Sequence, residues 1–169
     1  MTANAPEVWL RGPLPGYAPA LMPVAHALLQ AREDVERVAA GASADELWQQ
    51  PGGAASAGYH LQHLAGSLDR LFTYARGEQL DEAQRDALAR EGTPAGSGAE
   101  VVPAVLARID HALAQLRRTS AGSLDAPREV GRARLPSTVL GLVFHAAEHT
   151  TRHAGQLITT LKIVRGSSA

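Results

Sequence analysis

The 169-residue chain contains no cysteine. That absence excludes a disulfide framework, a thiolate zinc site and a cysteine nucleophile. Aromatic residues are only 4% of the chain, so its core must be aliphatic, built from Leu, Val and Ala. Neither sign of charge dominates: 16 basic and 17 acidic residues leave a formal net charge of −1. With a pI near 6.7, nucleic acid bound through bulk positive charge is not an expected partner. No run approaches the roughly 18 apolar residues that a membrane helix needs. Residues 1–10 lack the cationic start and apolar stretch of a signal peptide, so the expected location is the cytoplasm. Lys162 is the sole lysine and alanine is abundant; both are read as composition bias. Metal or proton chemistry must therefore rest on histidine and carboxylates.

The length suits one domain over residues 1–169, with a core large enough to fold without staples. Residues 1–16, rich in Pro and Gly, read as an irregular arm, and 166–169 as a frayed tail. Between them the apolar spacing predicts four long helices. The first runs from Tyr17 to about Ala40, the second from about Ser56 to Ala75. The third covers about Ala99 to Arg118, with Pro103 in its first turn, and the fourth opens at Ser137 as N-cap and continues to about Val164. Ser43 and Asp81 are expected to cap two short helices. A short extended piece around 129–135 fits the long 119–136 connection, but no convincing strand pair is visible. The expected fold class is all-α, a four-helix bundle with longer crossovers.

The seven histidines are unevenly placed. His60 and His63 lie on the second long helix; His145, His149 and His153 lie on the fourth. A four-residue step advances about 400°, so each histidine of the fourth helix sits about 40° from the previous one. The three span about 12 Å of axis, too far for one ion to take all of them. An adjacent pair, 149/153 or 145/149, can converge on an ion at roughly 2.0–2.1 Å. Another helix must supply a further ligand. His63 faces the same side as Ser67 and Leu71 and is expected to look inward, with His60 behind it. Three neutral imidazoles would leave coordination positions for water or substrate, as in a catalytic site. Glu148 and Asp69 are candidate acceptors for ring N–H groups, and Gln156 for orienting a bound water. Arg152 and Arg70 either hold an anionic group or pair with those carboxylates. His26 and His111 read as incidental. The chain shows no triad, P-loop or Gly-rich nucleotide fingerprint.

The segments Gly58-Tyr59-His60-Leu61-Gln62-His63-Leu64-Ala65-Gly66-Ser67 and His145-Ala146-Ala147-Glu148-His149-Thr150-Thr151-Arg152-His153-Ala154-Gly155-Gln156-Leu157 resemble the signature of the DinB/YfiT-like superfamily. Carried over position by position, the resemblance implies His63, His149 and His153 as three metal ligands. It further implies an up-down-down-up four-helix bundle, a divalent ion (Zn, Ni, Fe or Mn) and a homodimer. Relatives include S-transferases and isomerases that use a low-molecular-weight thiol. The resulting expectation is a metal-dependent enzyme acting on a small-molecule substrate, of thiol-transferase type. The alternatives are a metal-dependent hydrolase and a non-enzymatic metal- or ligand-binding stress-response protein. His60 and His145 lie outside the minimal family pattern, which leaves open whether they are ligands or neighbours of ligands.

Overall fold

The structure is a computed structural model that describes residues 6–167, the side chain of Ser167 excepted. The outermost parts of the expected arm (1–5) and tail (168–169) lie outside the described residues. Six α-helices are present among the described residues: α1 (Met22–Ala39), α2 (Ala44–Trp48), α3 (Ala57–Ala75), α4 (Glu82–Arg90), α5 (Gly98–Arg118) and α6 (Val139–Ser167). The four long ones are those expected from the apolar spacing, and α2 and α4 are the two short ones.

Local chemistry sets most of the boundaries. Ser43 and Glu46 form a reciprocal capping box at α2, and Asp81 and Gln84 form another at α4. Ser56 Oγ accepts from the Tyr59 amide at the start of α3. At α6 the expected cap shifts by one residue: Thr138 Oγ1 accepts from the Gly141 amide, because a strand (Leu135–Thr138) runs on to Thr138 and the helix opens only at Val139. α6 also runs past Val164 to Ser167, so the tail is helical further than its composition suggested. Pro103 falls in the second turn of α5 rather than the first, on an exposed position.

The helices pair as a ring, α1–α6–α3–α5 and back to α1. Pairings fix their directions. Arg32 meets Asp110, and the Gly98 amide donates to Ala42 O, so α1 and α5 are antiparallel. Asp69 with Arg108 and Phe72 O with Gln115 make α3 and α5 parallel. His60 beside His153 and His63 beside His149 make α3 and α6 antiparallel. This is the up-down-down-up arrangement. Two parallel neighbours in sequence, α3 and α5, require a long crossover, and α4 lies within it. The shared core is aliphatic, with Leu28, Leu61, Leu64, Ile109, Leu157 and Leu161 fully buried around Phe72.

One element differs from the sequence reading. Residues β1 (Pro127–Val130) and β2 (Leu135–Thr138) form an antiparallel hairpin, with Val130 opposite Leu135. Pro127 and Pro136 hide the strand pattern in the sequence. They are tolerated because in a two-stranded sheet both strands are edges.

Gly98 marks a close approach between helices. A Cβ there would overlap the Ala39 carbonyl oxygen at the end of α1, and backbone cannot yield as a side-chain tip can. Gly98→Ala is therefore expected to destabilise the protein by about 1–3 kcal/mol, although alanine is the better helix former. Urea unfolding checks this; equal or greater stability would show that the approach is looser than described.

Candidate metal centre

The antiparallel packing of α3 on α6 sets the level of each histidine. Ser56 fixes the start of α3, and one turn later His60 points at α6. His63 follows at about 100° per residue, one turn nearer the opening of the cluster. On α6, His149 and His153 stand one turn apart on the face that meets α3. His63 Nε2 lies 2.9 Å from His149 Nε2. The rings of His63 and His153 are 4.6 Å apart, and those of His149 and His153 4.5 Å. One ligand atom from each of His63, His149 and His153 lies within 4.8 Å of the others, so the three can hold one metal ion.

The donor chemistry fits such an ion. Two imidazole nitrogens each about 2.0–2.1 Å from one centre stand roughly 3 Å apart, close to the separation of the two Nε2 atoms. Nitrogen donors without sulfur suit Zn, Ni or Fe. In two of the three histidines, His63 and His153, the other ring nitrogen is engaged as ligand histidines require. His63 Nδ1–H donates to Glu91 Oε2 at 2.7 Å, which leaves Nε2 for the ion. His153 Nδ1 is 3.0 Å from His60 Nδ1, so a ligand role for His153 falls to its Nε2. His149 Nδ1 is buried without a hydrogen-bond partner. Tyr59 stacks on His63, with ring centroids 5.3 Å apart and planes 8° from parallel.

Burial favours the uncharged form of three of the four imidazoles, His60, His149 and His153. Burial, followed by the positive charge that His63 can carry, pushes His60 and His149 below their ordinary range. His153 is driven furthest, to about 4, mainly by burial and then by His63 and His149. Imidazoles held neutral keep their lone pairs available to a metal.

The remaining sequence candidates divide clearly. His60 is 6% exposed and touches His153, but is not one of the three convergent groups. His145 is exposed; its ring is 5.5 Å from that of His149 and its Nδ1 3.5 Å from Glu148. Glu148 and Asp69 do not orient the convergent rings. Glu148 pairs with Arg152, and Asp69 with Arg108 and Gln84. Arg70 pairs with a carboxylate, Glu91. Gln156 is exposed, outside the buried cluster. His111 is exposed, and His26 Nε2 bonds Gly12 O, tying the arm to α1. Sequence reasoning missed Glu91 and Tyr59. Tyr59 could have been found, since it sits four residues before His63 on the same helical face. Glu91 lies 28 residues from His63, on another element, and no local spacing points to it.

The depression of His153 has a measurable consequence. The unfolded chain takes up a proton near the ordinary value of 6.5, whereas the folded protein resists until about 4. In the chelated protein this contribution to stability is intact above 6.5 and is lost as pH falls from there towards 4. Thermal melts across that range should show a falling midpoint, and His153→Gln should flatten the slope. A midpoint independent of pH would contradict the account.

No curated protein matches the chain at a significant level. The sequence profile of the DinB superfamily matches residues 27–157, a span that includes all three convergent histidines and the long crossover. The match, the four-helix architecture and the placement of the histidines agree, and the chain belongs to the DinB superfamily.

Proposed function

We propose that the protein is a divalent-metal-dependent enzyme whose ion is held by His63, His149 and His153, and that it transfers a low-molecular-weight thiol to a small electrophile. The convergence of three imidazoles from two helices carries the first part of this reading. A bound divalent ion would lower the pKa of a coordinated thiol or water and so supply a nucleophile near neutral pH. A chain without cysteine must receive its sulfur with the cosubstrate.

The surrounding residues have separate tasks in this proposal. Glu91 fixes the ring of His63, and His60 fixes that of His153. Tyr59 covers one face of His63, limiting how that ring can turn. Arg152 and His145 sit beside His149 on exposed positions, where they can meet an anionic group of thiol or substrate. Arg152 also lines a groove of about 540 Å³ between α1 and α6, together with Phe144, Ala147 and Thr151, and none of the three convergent histidines lines it.

Zinc or nickel titration of chelated protein should give about one bound ion per chain, and His149→Ala should remove it. Turnover of an electrophile panel should require an added thiol. Metal binding with thiol-independent cleavage of esters or amides would favour the hydrolase reading instead. Failure to bind any divalent ion would overturn the proposal.

A further inference from the structure

The crossover between α3 and α5 has an inverted burial pattern. α4 contains no buried residue, and its one large apolar side chain, Leu88, is exposed. Apolar burial therefore does not hold α4 in place. Polar contacts do: Gln84 Nε2 donates to Asp69 Oδ2 and to Thr73 Oγ1, and Gln62 Nε2 donates to Thr93 O. Within residues 81–96 the single buried side chain is a carboxylate, Glu91, 7% exposed.

A buried carboxylate is costly unless it is paired and hydrogen-bonded. Glu91 is held at both oxygens. Oε1 accepts from Arg70 Nη1 at 2.5 Å and Oε2 from His63 Nδ1 at 2.7 Å. α3 has a gap where this carboxylate enters. A Cβ on Gly66 would overlap Glu91 Oε1 and come within 2.8 Å of Arg70 Nη1. Gly66 lies inside a helix, where glycine costs about 1 kcal/mol relative to alanine. Three independent features thus meet at one atom pair: a helix without apolar anchoring, a lone buried acid and a missing side chain.

We propose that Glu91 is a positioning residue for His63, delivered by α4 as a clasp across α3 and admitted by the absent side chain at Gly66. The inference rests on the metal reading above, because positioning matters only if His63 Nε2 has an ion to meet. Arg70 pins one carboxylate oxygen so that the other stays on His63. The contact fixes the His63 proton on Nδ1 and aims the lone pair of Nε2 at the cluster.

The test uses the full chain and zinc alone as probe. Glu91→Ala should weaken zinc binding about 10–100-fold. In metal-free protein, ¹⁵N NMR should show His63 shifting from the Nδ1–H tautomer towards Nε2–H. Glu91→Gln keeps an acceptor without the charge and should lose less; it carries the same test if Glu91→Ala does not fold. Gly66→Ala should also weaken zinc, although alanine is the better helix former, and adding it to Glu91→Ala should weaken zinc no further. Wild-type affinity and an unchanged tautomer in the Glu91 variants would overturn this inference alone, as would additive losses in the double variant. A wild-type protein that binds no zinc would overturn the metal reading itself.

Discussion

The antiparallel contact between α3 and α6 is the constraint on which the rest depends. It brings four imidazoles into one partly buried cluster, with His60 against His153 and His63 against His149. Burial and mutual repulsion make positive charge there unfavourable, and His60, His149 and His153 are all pushed below their ordinary range. A group of neutral imidazoles with converging lone pairs contributes less to apolar packing than leucines would. It is instead a donor set for a borderline divalent ion.

The architecture supplies what this contact lacks. A ring of four helices with parallel α3 and α5 needs a long crossover, and that crossover returns a carboxylate to the back of His63. The short helix on it is anchored by hydrogen bonds to α3 rather than by apolar burial. The connection between α5 and α6 is closed by a small hairpin that leads directly into the helix bearing three of the histidines. On α6, residues 149 and 153 meet α3, while Phe144, Ala147 and Thr151 line the groove against α1.

Much of this was legible in the sequence because its signals are local. Ser43, Ser56 and Asp81 announce helix starts through chemistry confined to one turn. The spacing of His149 and His153 follows from 3.6 residues per turn. Helix period alone could not decide between the 149/153 and 145/149 pairs; packing against α3 does, since His63 meets His149 and His153 while His145 stays exposed. The hairpin was obscured by two prolines that only an edge strand admits. Glu91 was illegible for a different reason. It sits at the head of the Gly-, Pro- and Ser-rich stretch 91–98, and its significance arises when the crossover folds back over Gly66. Asp69 and Glu148, closer in sequence to the histidines, were the natural guesses, but each is taken by an arginine.

The proposed function turns on three imidazoles from two helices coordinating one ion. X-ray absorption spectroscopy of the zinc- or nickel-loaded protein measures it most directly, because imidazole rings give a distinct multiple-scattering signature. Three imidazole ligands are expected, with the remaining positions filled by light oxygen or nitrogen atoms, falling to two or to no bound ion in His63→Ala. A bound ion with fewer than three imidazoles in the wild-type protein, or a coordination sphere unchanged by His63→Ala, would contradict it.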